Sequence, residues 1–220
     1  MESLPSEVYC DFDGTITSVD ATDAILEEFA LPAWREWEAR WVSGEISSRE
    51  CLARQVDLLR TDRKTLLEFA ETLAVDRGIL NLQRRCSAKG VRLTVVSDGL
   101  DLIAQAVLGR LGLSHLPLFA NRVVWTPAGT CALEFPQARP ECESGSGTCK
   151  CFVTGALQNR RPRIFIGDGR SDFCVAGKIS TVFAKGSLRK WCASQSIPYH
   201  PYETLDEVAQ VLFSSEASAR

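Results

Sequence analysis

Val8-Tyr9-Cys10-Asp11-Phe12-Asp13-Gly14-Thr15-Ile16-Thr17 decides how the rest of the chain is read. The stretch opens with a short apolar run suited to a buried strand. It closes with two acids one residue apart, then Gly and Thr. Strand side chains alternate between faces, so a strand over 7–12 delivers Asp11 at its carboxyl end and Asp13 in the turn just beyond. Gly14 lets that turn bend tightly. Two carboxylates in one small mouth repel each other and need a neutralising partner. Mg²⁺ is the usual one for hard oxygen ligands beside a phosphate. The plainer reading is a strand followed by a common Asp-Gly turn, and the remaining sequence has to choose between the two.

The next strand-like run, 91–97, lies roughly 80 residues further on, far more than a crossover in an α/β fold needs. The gap reads as helices. Apolar positions at Ala21, Ala24, Ile25, Leu26 and Phe29 fit a helix over 20–30. Pro32 suits the first turn of another over 33–42, in which Trp34, Trp37 and Trp41 form one stripe, read as helix packing rather than a ligand cage. Ser47 or Ser48 with Glu50 predicts a capped third helix, Thr61 or Asp62 caps a fourth, and a fifth spans 77–89 and stops at Gly90. The expectation is a small helical insertion over 18–76, with 1–17 and 77–220 forming the main domain. From Gly90 onward strand-like and helix-like segments alternate: strands at 92–97, 119–125, 163–166 and 181–184, and helices at 100–111, 150–158, 187–194 and 203–213. That pattern predicts a parallel sheet with helices on both faces. Residues 126–148, rich in Pro, Gly, Ser and Glu, read as one long irregular loop, and 214–220 as a frayed end.

Composition narrows the function. Hydrophobic residues make up 45% of the 220 and charged residues 24%, the balance of a globular protein with a real core. The net charge of −3, without a basic run, disfavours nucleic acid as a partner. No apolar stretch is long enough for a membrane span, and the short acidic start is unlike a signal peptide, so a cytoplasmic protein is expected. Nine cysteines, an odd number without a secretory signal, argue against a disulfide framework. Cys10, Cys51, Cys86, Cys174 and Cys192 read as small buried apolar residues. Zinc held by Cys142, Cys149 and Cys151 is disfavoured, because paired ligand spacing is missing and neither His115 nor His200 is near.

In an open α/β sheet, ligands bind at the carboxyl ends of strands. Three predicted strand ends carry chemistry. The first delivers Asp11 and Asp13, the second Ser97 with Asp98-Gly99 expected to open a helix, the third Asp168 and Asp172 within Gly167-Asp168-Gly169-Arg170-Ser171-Asp172. Four acids at one edge need a cation. Ser97 and the N–H groups after it suit phosphate oxygens, and Lys150 is best placed to hold a phosphate beside a nucleophilic carboxylate.

Asp11-Phe12-Asp13-Gly14-Thr15 with Thr17, then Ser97, Lys150 and the 167–172 run resemble, in order and spacing, the four motifs of the haloacid-dehalogenase superfamily of phosphohydrolases. The resemblance spans most of the chain. It implies a Rossmann-like core, with the insertion acting as a helical cap like that of phosphoserine-phosphatase-like members. It also implies a division of labour. Asp11 is the nucleophile that becomes an aspartyl-phosphate. Asp13 is the acid that protonates the leaving oxygen and then activates water. Mg²⁺ is held by Asp11, the Asp13 carbonyl, Asp168 and Asp172, and Ser97, Asp98, Gly99 and Lys150 bind phosphate. An acid two residues after the nucleophile favours phosphate-ester hydrolysis, or a mutase, over dehalogenase and phosphonatase chemistry.

The substrate is expected to be a small phosphorylated metabolite. Asp20 lies nine residues after Asp11, where phosphoserine phosphatases place a Glu, and the cap arginine of those enzymes falls at Gln55, beside Arg54. A neutral amide cannot replace a bidentate charged contact to a carboxylate, which weakens a phosphoserine assignment. The run 143–150 and the tail 182–202 resemble instead the methionine-salvage branch of the superfamily. Asp20 fits a helix N-cap as well as a substrate contact, and Gln55 a solvated helix face as well as one. Rival readings are a phosphoserine-type phosphatase, a phosphotransferase or mutase that passes phosphate to another acceptor, and an idle phosphate-binding protein.

Overall fold

The apolar run of the opening stretch becomes β1 (Glu7–Cys10), the middle strand of a seven-stranded sheet. The computed structural model describes residues 5, 7–126, 130–156 and 162–213. On one side of β1 lie β2 (Arg92–Leu100), β3 (Leu118–Trp125) and β4 (Cys131–Glu134), and on the other β5 (Arg163–Gly167), β6 (Thr181–Ala184) and β7 (His200–Pro201). All pairings are parallel except β3 with β4. The chain therefore reverses its direction of sheet growth beside β1, the switch point where a crevice opens at strand carboxyl ends.

Strand alternation gives the sheet two apolar faces. Val8, Cys10, Leu93, Val95, Ile164 and Ile166 belong to the larger core, while Tyr9, Val96 and Phe165 join a second cluster with Cys149, Cys151 and Val175. The larger face is covered by α5 (Gly78–Ala88), α6 (Asp101–Arg110) and α10 (Leu205–Phe213), whose buried Ile79, Leu82, Ile103, Val107, Leu205 and Val208 are in the same cluster. Each fully buried side chain of this size contributes about 1.5–3 kcal/mol. The short α7 (Lys150–Val153) and α8 (Phe173–Ala176) lie on the opposite face, and α9 (Gly186–Ser194) packs on β6.

Between β1 and α5 the chain forms α1 (Ala21–Phe29), α2 (Trp34–Val42), α3 (Ser48–Val56) and α4 (Arg63–Thr72). Asp20, Ser47 and Asp62 cap α1, α3 and α4 by accepting a backbone N–H three residues on, worth about 1 kcal/mol each. The insertion leaves and rejoins the sheet domain at one seam: Thr17 bridges Val75 antiparallel, and Ser18 N donates to Ala74 O at 2.9 Å. The last helix, α4, packs against α6, and Arg110 donates to the carbonyls of Glu71 and Leu73.

Several expectations are corrected. The second strand continues through Ser97, Asp98 and Gly99 to Leu100, so the following helix opens at Asp101. Within the expected loop 126–148, Cys131–Glu134 pairs antiparallel with β3, as a short edge strand. The helix after Lys150 ends at Val153; Gln158 and 214–220 lie outside the described residues. Cys174 is half-buried and meets another thiol, whereas Cys10, Cys51, Cys86 and Cys192 are buried. Trp34 packs in the core, but Trp37 and Trp41 are only half-buried.

Candidate active site

β1 ends at Cys10, and one more ladder bond, Asp11 N to Ile166 O at 2.9 Å, carries Asp11 to the sheet edge with 3% exposure. Its Oδ1 accepts from Phe12 N at 2.8 Å and from Lys150 Nζ at 2.8 Å. Lys150, at the start of α7, also reaches Asp172 Oδ1 at 2.6 Å and Ser171 Oγ at 3.1 Å. The other Asp172 oxygen accepts from the N–H groups of Asp168 and Gly169 at 3.0 and 3.1 Å. Asp168 Oδ1 accepts from Thr15 Oγ1 at 2.9 Å. Gly14 turns at φ +67°, and a Cβ there would sit 2.4 Å from Asp168 Oδ2, so the turn needs glycine for conformation and for space. Thr17 holds the same turn by accepting from Gly14 N at 3.2 Å and donating to Val19 O at 2.7 Å.

Asp13 faces the crevice from the other side. Its Oδ1 accepts from Ala21 N at 3.1 Å and Thr22 N at 3.3 Å, at the start of α1. Its Oδ2 accepts from Ser97 Oγ at 2.8 Å, and Ser97 Oγ in turn accepts from Gly99 N at 2.8 Å. A Cβ at Gly99 would stand 2.4 Å from Asp13 Oδ2, so β2 can pass this close only as glycine. The Asp98 carboxylate is committed elsewhere: it accepts from Ser48 Oγ at 2.7 Å, Thr148 N at 2.7 Å and Asn121 Nδ2 at 3.2 Å. It ties α3 and the loop before α7 to β2 rather than aiming its charge at a ligand.

Burial and crowding push these acids upward. Asp11 titrates well above the usual carboxylate range, through burial first and the Asp172 charge next, with Lys150 opposing. Burial and then the Asp20 charge raise Asp13 to about 7, and burial and Asp172 raise Asp168 to about 6. Burial works against the Lys150 ammonium, but Asp11 and Asp172 outweigh it and hold the lysine above its ordinary pKa. One ammonium is not enough for four acids. Oxygens of Asp11, Asp168 and Asp172 lie within 4.8 Å of one another, the one metal-competent group among the described residues. The donors are hard oxygens, so the set fits a small hard divalent cation.

Above these acids is a cavity of about 130 Å³. Asp20 lines it while capping α1. Gln55 also lines it, and the solvated-face reading is corrected: its side chain is buried and its Nε2 donates to Glu38 Oε2 at 2.9 Å. Arg54 is not brought in; it is exposed, with its guanidinium 5.2 Å from the Trp37 ring centre and 3.9 Å from Glu50. Sequence reasoning missed Asp23, Glu38, Trp41, Ser48 and Arg170, which line the same cavity. Asp23 left a signal, lying three residues after Asp20 on the same helical face. Glu38 left none, because α3 has to fold back on α2 before Gln55 can hold it.

Strand-edge acids, a buried lysine and a helical wall on a parallel sheet define a hydrolase of the phosphoryl-transfer kind. The family model for haloacid dehalogenase-like hydrolases matches residues 8–177, and the chain belongs to that family. The chain is 30% identical over 217 residues to a 2-hydroxy-3-keto-5-methylthiopentenyl-1-phosphate phosphatase of Exiguobacterium sibiricum, covering 96% of this chain and 98% of the relative. A like-named protein of another Exiguobacterium species is 29% identical over 94% of this chain and 96% of its own. Among solved structures, a phosphoserine phosphatase with a phospho-aspartyl intermediate analogue superposes with TM-score 0.69 at 17% identity, covering 95% of this chain and 99% of its own. A haloacid dehalogenase family hydrolase of Salmonella enterica serovar Typhi gives 0.73 at 20%, covering 98% and 74%. The last two speak for the fold alone.

Proposed function

We propose that the chain is a Mg²⁺-dependent phosphomonoesterase that works in two steps through Asp11. The observation that carries this reading is Lys150 Nζ bound to both Asp11 and Asp172 inside a cluster of acids that one lysine cannot neutralise. With Asp11 Oδ1 taken up by Phe12 N and Lys150, Oδ2 is left to attack phosphorus and become the acyl phosphate. Asp13 gives its proton to the leaving oxygen, then takes one from the water that opens the intermediate. Ser97 Oγ, the Gly99 N–H and Lys150 hold phosphoryl oxygens, with charge matched best in the transition state. Mg²⁺ at Asp11, the Asp13 carbonyl, Asp168 and Asp172 would draw negative charge off the phosphoryl group.

In this reading residues 1–17 and 77–220 form the catalytic core, and 18–76 a cap that closes over substrate and excludes water. The cap wall contributes Asp20, Asp23 and Glu38 to the cavity and no lysine or arginine; among the described residues the one arginine lining it, Arg170, comes from the core. Such a wall repels a carboxylate and tolerates an uncharged or cationic leaving group. The substrate carried by the bacterial relatives, 2-hydroxy-3-keto-5-methylthiopentenyl-1-phosphate, is therefore the first candidate, in methionine salvage, and phosphoserine a poor one. Nine cysteines, all free, fit a reducing compartment such as the cytoplasm.

The test is phosphate release from a panel of monoesters containing an enol or diketo phosphate and phosphoserine, with and without EDTA. Turnover abolished by EDTA and by Asp11→Asn supports the reading, and turnover surviving Asp11→Asn overturns the nucleophile. Release that requires an added alcohol acceptor marks a transferase instead, and binding of phosphate esters without turnover marks an idle binder.

A further inference from the structure

The cysteines near the site differ in exposure. Cys151 follows Lys150 in α7 and is buried, whereas Cys174 lies two residues past Asp172 in α8 and is half-buried. Their sulfurs are 3.0 Å apart. Cys174 opens on a cleft of about 920 Å³ between the helical insertion and the sheet domain. Lys178 Nζ stands 3.2 Å from its sulfur, and Glu143 pairs with that ammonium at 2.9 Å. The pair belongs to no metal-competent group among the described residues, since no third side chain joins them within ligand reach. What the geometry offers is an accessible outer thiol backed by a buried one at contact distance.

We propose that Cys151 and Cys174 form a dithiol site that accepts two-electron oxidation by a small-molecule disulfide and so tethers the helix of Lys150 to the helix following Asp172. The step balances as two exchanges. The Cys174 sulfur attacks one sulfur of the small disulfide, whose S–S bond breaks, and one thiol leaves with the Cys174 proton. The Cys151 sulfur then attacks the Cys174 sulfur, the mixed bond breaks, and the second thiol leaves with the Cys151 proton. Both cysteines are oxidised and one disulfide is reduced to two thiols. The two helices already touch and Lys150 already meets Asp172 at 2.6 Å, so the bridge closes with little backbone movement. This site stands independently of the phosphatase reading.

The test treats the full chain with oxidised glutathione and reads intact mass and a non-reduced peptide map. The expected product is lighter by two hydrogens, with the peptides of Cys151 and Cys174 linked, and dithiothreitol reverses it. Cys151→Ser should stop at a single glutathione adduct on Cys174, Cys174→Ser should give neither adduct nor bridge, and Cys142→Ser should behave as wild type. The oxidised protein should melt at a higher temperature, a shift lost in Cys151→Ser. A bridge between another pair, or Cys174→Ser oxidised like wild type, or nine unreacted thiols in wild type, would overturn the proposal. None of these readouts depends on turnover, so failure here and failure of the phosphatase reading are distinguishable.

Discussion

Asp13 keeps its proton in mildly acidic solution and gives it up near pH 7, because burial and then the Asp20 charge raise its pKa to about 7. In the proposed mechanism Asp13 protonates the leaving oxygen, so kcat/KM should fall as pH rises through that value. Asp20→Asn removes one of the charges that raises it. The Asp13 carboxyl then ionises more easily, and the falling limb moves to lower pH. Asn caps a helix about as well as Asp, so α1 should stay formed, and a pH–rate profile at saturating Mg²⁺ alongside a thermal melt checks both points. Asp11→Asn should lower turnover by about 10³-fold or more while leaving the melting temperature unchanged or raised, since burial and the Asp172 charge penalise the ionised form. The residues legible from sequence share a property: Asp11, Asp13, Ser97, Lys150 and Asp168 sit near the ends of elements whose periodicity can be read locally. Glu38 was hidden because its place beside Gln55 depends on how α2 and α3 pack.

At the scale of elements, the contact between α3 and the sheet domain is small and specific. Ser47 caps the helix, which leaves the Ser48 hydroxyl to reach Asp98, and Arg49 N donates to Gly145 O at 3.1 Å. Ser48→Ala removes one hydrogen bond to a carboxylate, worth about 1.5–3 kcal/mol when that group is charged. If the contact is made on closing over substrate, KM should rise about tenfold or more with little change in melting temperature. An equal fall in stability with unchanged KM would mean a structural latch instead. The α4–α6 interface should respond in the opposite way. Leu66 is fully buried on α4, and Leu66→Ala should cost about 2–5 kcal/mol in urea unfolding with KM unchanged. The helices were readable because their caps and apolar stripes are local. The end of β2 was not, because Ser97-Asp98-Gly99 looks like a helix start until Asp13 and Asn121 are there to hold it extended. The edge strand β4 was hidden because its four residues, Cys131–Glu134, are too short a run to stand out from the polar stretch around them.

Taken whole, the molecule puts a negatively charged wall opposite a site that binds a dianion. That is workable only with cations on the sheet side, so removal of Mg²⁺ should abolish phosphate release and its return restore it. The wall should also sort substrates by their leaving groups: an enol or diketo phosphate whose leaving group carries no carboxylate should exceed phosphoserine in kcat/KM by at least about tenfold, a difference of about 1.4 kcal/mol. Glu38→Gln should narrow that gap, and a panel in which phosphoserine is preferred would sink the charge argument. The order of the sheet was legible only as a class; which strand lies in the middle depends on long-range pairings that no local pattern encodes. The seam where Thr17 bridges Val75 has a consequence for descent. The chain departs and returns at adjoining points, so inheritance can lengthen, shorten or replace what lies between without shifting one rung of the sheet. The face of α4 toward α6, the start of α1 that holds Asp13 and the Ser48 contact to Asp98 are the parts bound to stay. A lineage could thus change its diet while keeping its chemistry.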